Sequence, residues 1–195
     1  MKEDTSVIIL AAGTSSRMGN HKYLLKIGDG TTFLESIAKQ YDSFGCSSII
    51  IVLNKDGYNE FNKLEIMLPP KSHIVVNNNP ELGRFYSIKT GAKIVSSDYT
   101  FIHNVDNPYA KKNLLNQLYR YRISYDVIKP IIFGKGGHPI LISRAVINKL
   151  KKEKRSELKL NEFISIFSTK EIDVNDKTIL LNINTPSDFN KFLKI

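Results

Sequence analysis

Cysteine is nearly missing from this chain. Cys46 is the single copy among 195 residues, so an internal disulfide is excluded, and no cysteine–histidine cluster has the spacing of a zinc site. Cys46 reads as an ordinary reduced thiol. Long apolar runs are missing too. Residues 1–13, MKEDTSVIILAAG, place acidic side chains before a short apolar segment, the wrong charge for a signal peptide and too short for a membrane span. A cytoplasmic protein without membrane contact is expected. Acidic residues are fewer than basic ones, 19 against 28, giving a formal charge of +9. The lysines are nevertheless scattered, and no basic stripe carries interleaved aromatics, which is the footprint a nucleic-acid binder needs. No nucleic acid is expected as partner. The excess fits a lysine- and isoleucine-rich composition and is compatible with an anionic small substrate. The mixed-sign run at 151–155 reads as the solvated C-terminal end of a helix.

Repeats, low-complexity tracts and linkers are also lacking, and a chain that is 42% hydrophobic can bury a sizeable core unaided. One domain over 1–195 is expected, as a monomer or weak homodimer. Short β-branched runs at 7–10, 49–53, 74–76, 99–105, 127–133, 140–143 and 179–183 alternate with amphipathic segments. That alternation predicts an α/β domain with a largely parallel sheet, and continuously apolar runs suit strands covered on both faces. Thr32 and Glu35 have capping-box spacing and open a helix that stops at Gly45. Further helices are predicted at 58–67, 85–96, 111–123, 144–152, 158–167 and 186–193.

The most informative segment follows the first strand: Leu10, Ala11, Ala12, Gly13, Thr14, Ser15, Ser16, Arg17, Met18, Gly19. Open α/β sheets bind ligands at the carboxyl ends of their strands. Gly13 and Gly19 would let successive N–H groups turn inward around phosphate oxygens. The hydroxyls of Thr14, Ser15 and Ser16 add neutral donors, Arg17 a planar charged fork, and Lys22 a second cation. The loop is neither a Walker A sequence nor G-x-G-x-x-G, which weakens kinase-like and dehydrogenase-like readings. A tight turn into a helix is the bland alternative. Farther on, Asp106 ends a buried strand in N-V-D-N-P, where a carboxylate would face the cleft and could anchor Mg²⁺; the competing reading is an Asp-x-Pro turn. Thr185 and Pro186 read as a helix cap and first-turn proline. His103 reads as part of the fold.

L-A-A-G-x-S-x-R-M-G followed by K-x-L-L resembles the signature of the MobA-like nucleotidyltransferases, in particular the molybdenum cofactor cytidylyltransferases. The resemblance implies a three-layer α/β/α, Rossmann-like nucleotide-diphospho-sugar transferase fold with a mainly parallel mixed sheet. It also implies that Leu10, Ala11, Ala12, Gly13, Ser15, Arg17 and Gly19 wrap the nucleotide and that Lys22 meets its phosphates. A second family motif is matched by the segment from Asn79 through Gly83 and Ser87 to Gly91, placing Asn79, Gly83 and Ser87 at the nucleotide, although Gly91 reads equally well as a packing glycine. The segment N-I-N-T-P-S-D resembles the last motif and points to Asn184 as a second metal ligand beside Asp106. G-K-G-G-H-P resembles the G-H-P motif, so that His138 would touch the acceptor or shape its loop.

Together these features imply an Mg²⁺-dependent enzyme in which Arg17, Lys22 and Asp106 carry catalysis. It would move a nucleoside monophosphate from a triphosphate to a small phosphorylated acceptor and release pyrophosphate. Ala12 stands where guanylyltransferases of molybdopterin have glycine, which favours CTP, and a molybdopterin-like acceptor is favoured with it. A sugar phosphate or phosphocholine is the alternative acceptor, and a nucleotide-binding regulatory module without turnover the alternative outside enzymes.

Overall fold

The computed structural model describes residues 2–15 and 18–194. Among them an eight-stranded mixed sheet is flanked by helices on both faces. The strands are β1 (Lys2–Ala11), β2 (Cys46–Asn54), β3 (Ser72–Asn77), β4 (Tyr99–Asn104), β5 (Val127–Ile132), β6 (Lys135–Gly136), β7 (Ile140–Ser143) and β8 (Thr169–Asp173), ordered β3-β2-β1-β4-β7-β5-β6 with β8 on β5. β3, β2, β1 and β4 are mutually parallel. β7 runs antiparallel to both β4 and β5.

The continuous apolar character of β1 follows from its central place. Val7, Ile9 and Ala11 face one layer and Ile8, Leu10 and Ala12 the other, and all six are buried. On the first face pack α1 (Phe33–Phe44), α4 (Lys112–Arg120) and α7 (Pro186–Phe192); α2 (Lys55–Phe61) adds Tyr58 and Phe61 at the margin. On the second lie α3 (Gly83–Ala92), α5 (Arg144–Lys152) and α6 (Leu160–Ile164). Fully burying each such aliphatic or aromatic side chain stabilises by roughly 1.5–3 kcal/mol, so two apolar faces hold the sheet between its helices. The capping box at Thr32 and Glu35 forms as expected, and Gly45 closes α1 at φ 100°, a left-handed conformation that suits glycine.

Three expectations are corrected. Residues 179–183 form no strand: a 3₁₀ turn at Lys177–Leu180 leads into an extended segment. The apolar pattern there marks burial, since Ile179 and Ile183 reach the core, but no ladder partner adjoins. Conversely, β8, with the sequence TKEID, was not expected as a strand. It pairs parallel with β5 at the sheet margin, exposes alternate residues, and therefore carries no apolar run. α2 also starts earlier and ends sooner than expected, because Asn54 caps it through Gly57 N–H at 2.6 Å.

Candidate active site

The carboxyl ends of the adjacent parallel strands β1 and β4, with Leu10 opposite Asn104, open into a cleft of about 240 Å³. Its floor is Leu10, Ala11 and Ala12, and the first loop rises from it. The Asn54 amide at the end of β2 donates to the Ala12 carbonyl at 3.1 Å while its oxygen caps α2. Tyr23 closes the same joint by donating to the Gly57 carbonyl at 2.8 Å. The base of the loop is thus bolted to its neighbours. Above it, a Cβ added to Gly13 would meet nothing within 4 Å. Gly13 does not adopt a positive φ, so the expected backbone reason is corrected: the space around it, not its dihedral freedom, is what the residue leaves to a ligand. Ser15 and Gly19 take the left-handed conformation at φ 51° and 73°, and the Ser15 hydroxyl accepts from the Lys22 N–H at 3.2 Å.

The opposite wall is the first turn of α3. Gly83 has φ 83° and ψ −169°, a conformation open essentially to glycine. It starts a helix whose first N–H groups lack intrahelical partners and favour anions. Ser87 is buried, receives a bond from the Asn77 amide at 2.9 Å and lines the cleft. Gly91 faces the sheet: a Cβ there would sit 2.7 Å from Ile8 Cγ2 and 2.9 Å from Val52 Cγ2. It is a close-approach glycine between helix and sheet.

Asp106 lies just past β4 and lines the cleft with Asn104 and Val105. Burial lifts its carboxyl above the ordinary carboxylate value, against the opposing pull of the Lys22 and Arg84 charges. The C-terminal segment is stitched to this turn. Ile183 N–H donates to the Asp106 carbonyl at 2.9 Å, and the Asn107 amide donates to the Thr178 carbonyl at 2.7 Å. These bonds deliver Asn184. Its amide nitrogen donates to Asn182 Oδ1 at 2.6 Å, which turns its oxygen toward the Lys22 ammonium, whose hydrogen bond it accepts. Thr185 and Asp188 form the capping box of α7, as structural reading of Thr185 and Pro186 predicts.

A second, larger cleft adjoins, walled by Arg84, Phe85, Gly136, His138, Lys159 and Ile164 among others. His138 joins the two clefts, since its Nε2 meets the Asn104 amide at 2.9 Å. Accepting from that amide puts the ring proton on Nδ1, which is buried without a partner among the described residues. Burial, helped by His103 and Arg84, brings the His138 ring down to about 4. His103 is likewise lowered to about 4 by burial, and it bridges the Tyr41 hydroxyl at 2.9 Å and the Asn107 carbonyl at 2.7 Å. Both histidines are neutral near pH 7, and His103 belongs to the fold.

Of the expected site residues, Leu10, Ala11, Ala12, Gly13, Ser15, Lys22, Gly83, Ser87 and Asp106 line one cleft. Asn184 reaches it through Lys22. Gly19 and Asn79 are not in that lining, and the Asn79 amide instead donates to the Tyr86 hydroxyl at 3.2 Å. Arg17 lies outside the described residues. Arg84, Asn104 and the Asn54–Gly57–Tyr23 joint were not anticipated. Among the described residues no group of three or more histidine, cysteine or acidic side chains could hold a metal, and no helix is long and apolar enough to cross a membrane.

Comparison with known proteins identifies the family and the fold. The family model of the MobA-like NTP transferase domain matches residues 7–170. The molybdenum cofactor cytidylyltransferase of Escherichia coli is 29% identical, covering 93% of this chain and 92% of its own length. A probable molybdenum cofactor guanylyltransferase of Carboxydothermus hydrogenoformans is 27% identical, covering 99% and 97%. Among solved structures, the Mycobacterium sp. strain JC1 homologue of Mycobacterium tuberculosis Rv0371c superposes with a TM-score of 0.83 at 22% identity, over 100% of this chain and 97% of that one.

Proposed function

The chain belongs to the MobA-like NTP transferase family of nucleotidyltransferases, and from that premise we propose that it transfers CMP from CTP to a small phosphorylated acceptor, a molybdopterin-like cofactor being favoured, with release of pyrophosphate. The observation that carries this reading is the convergence of Lys22, Asp106 and Asn184, drawn from three distant segments, beside a loop whose Gly13 faces open space.

The donor set suits a hard divalent cation. A carboxylate and an amide oxygen are oxygen ligands of the kind Mg²⁺ accepts, leaving other positions for phosphate and water. The hydrogen bond from the Lys22 ammonium to Asn184 Oδ1 places positive charge at that oxygen already. Asp106 and Asn184 would hold Mg²⁺, which supplies charge neutralisation on the triphosphate. The chain's own residues do the rest. The loop over Gly13 and Ser15 and the first turn of α3 offer N–H groups to phosphate oxygens, with Lys22 and Arg17 adding cationic donors. An acceptor phosphate oxygen, already ionised, forms a bond to the α-phosphorus while the α,β-bridging bond breaks and its electron pair leaves with pyrophosphate. No general base is required, so neutral His138 has no proton to move. Positioning and charge compensation account for the catalysis.

CTP is favoured over GTP by Ala12, which is buried at the cleft floor with its carbonyl held by Asn54. The extra methyl narrows the approach of a base, and mispaired base edges are penalised. The test is a pyrophosphate-release screen of four nucleoside triphosphates against molybdopterin, sugar phosphates and phosphocholine. CTP-dependent release with one acceptor is expected. Tight nucleotide binding with no release under any pairing would favour a regulatory module, and GTP bound tenfold tighter than CTP would overturn the base assignment.

A further inference from the structure

Two residues, Gly83 and Arg84, line both clefts. Among the described cations, Lys22 lines only the nucleotide cleft of this pair, and Lys129 and Lys159 only the second. Arg84 alone of them faces both. It also differs from three other arginines of the fold. Arg122, Arg144 and Arg155 each lie within about 3 Å of a carboxylate, at 3.1, 2.9 and 2.9 Å. No hydrogen bond or salt bridge joins the Arg84 side chain to another described residue, yet its charge acts on Asp106 on one side and on His138 on the other. An exposed guanidinium at the start of a helix, next to a carboxyl it does not pair with, is held toward the solvent of the two clefts.

The reaction supplies a need for such a group. Two polyanions must meet at one phosphorus, and their repulsion has to be met on the acceptor's side as well as the donor's. Lys22 stands on the β1 side, bonded to Asn184. In the sheet, β4 separates β1 from β7, so the second cleft, which reaches Ile140 of β7, opens across β4 from the glycine loop. An in-line displacement requires that arrangement, with the attacking oxygen and the leaving pyrophosphate on opposite sides of the α-phosphorus.

We propose that Arg84 is a catalytic residue that grips the acceptor's phosphate where the two clefts meet, and that the acceptor is a phosphomonoester whose body lies in the second cleft. The inference rests on the nucleotidyl-transfer reading above. The planar fork donates two parallel N–H bonds to the phosphate and steers its third oxygen at the α-phosphorus. Beyond Arg84 the cleft is amphipathic, with Phe85, Leu160 and Ile164 beside Lys129, Lys159 and Asn161. The acceptor's body therefore combines an apolar or ring portion with hydrogen-bonding or anionic groups.

The test uses inorganic phosphate as the acceptor probe. Wild type, Arg84→Ala and Arg84→Lys are loaded with Mg²⁺ and α,β-methylene CTP, whose blocked bridge keeps the donor side filled, and phosphate is titrated by phosphorus-31 NMR. Calorimetry measures the nucleotide affinity of each, and thermal melting checks the fold, which an exposed side chain should leave unchanged. Arg84→Ala is expected to bind nucleotide within threefold of wild type and to lose phosphate binding at least tenfold, with partial recovery in Arg84→Lys. With the acceptor identified in the screen, its KM should rise at least tenfold in Arg84→Ala. Phosphate binding that is undetectable in wild type or unchanged in Arg84→Ala overturns the assignment, as does a tenfold loss of nucleotide affinity, which would move Arg84 to the donor. A wild-type protein that binds no nucleoside triphosphate fails at the calorimetric step, before phosphate is added, and removes the nucleotidyl-transfer reading together with this one.

Discussion

The described residues between Gly13 and Asn20 meet the rest of the fold sparingly, whereas the β4 side of the same cleft is stitched down at every step. On the β1 side, Gly13 faces empty space, and Met18 N–H closes a local turn onto the Ser15 carbonyl at 2.8 Å. On the β4 side, His103 bonds Asn107, Asn107 bonds Thr178, and Asp106 receives Ile183. One wall is lightly tied, and the other arrives assembled. Substitutions on the first should change binding at little cost in stability. On the second, and in the packing behind both, the two quantities should move differently.

The largest expected effect is at the assembled wall. Asp106→Ala should lower pyrophosphate release by about 10³-fold or more, the scale on which transition-state charge stabilisation is lost, while calorimetry still detects nucleotide at the loop. Assayed across a series of Mg²⁺ concentrations, Asn184→Asp should lower the concentration for half-maximal activity, since a carboxylate replaces the neutral oxygen proposed as ligand. Near-normal turnover in Asp106→Ala would break the contrast between the walls outright. Next comes the open wall: Lys22→Ala should weaken CTP binding roughly 10- to 100-fold, the value of a charged hydrogen bond, with Tm almost unmoved, and the phosphate role proposed for Arg17 predicts the same of Arg17→Ala. A variant that melts far below wild type and still binds CTP would make that residue structural.

The glycines sharpen the comparison. Gly91→Ala forces a methyl against Ile8 and Val52 and should cost about 1–3 kcal/mol of stability without changing CTP affinity. Gly13→Ala should do the reverse, since its methyl meets no protein atom but occupies ligand space. Denaturant titration and calorimetry on both variants separate the cases. The remaining effect is on pH. His103 and His138 both drop from 6.5 to about 4 in the fold, so the unfolded chain binds more protons between those values and stability must fall as pH falls through that window. Tm should be flat above about pH 7 and decline toward pH 4, and His103→Gln should make the decline shallower.

What was legible beforehand depended on whether the signal resided in side chains. The place of the glycine loop after β1, that of Asp106 just past β4, the Thr32–Glu35 box and α5 at Arg144–Lys152 were all readable, because residue type and spacing carry them. β8 was hidden because an edge strand reading TKEID needs no apolar run, and 179–183 misled because an extended buried segment shows the same apolar residues as a strand. The stitching of Ile183 to Asp106 uses backbone groups, which leave no mark in composition. Arg84 was overlooked for a different reason: an arginine in the first turn of a helix resembles a solvated surface charge until the topology of β4, β7 and α3 shows that two clefts meet around it.

The bond from Ile183 to the Asp106 carbonyl sets an order on the making of the molecule. Every strand of the sheet is complete in the chain by residue 173, before Asn182, Ile183 and Asn184 have been synthesised. A nascent chain that ends at residue 173 hence contains every strand and the glycine loop while Asp106 still lacks the partner beside it. Of the two oxygens proposed for the cation, that of Asn184 is therefore added last.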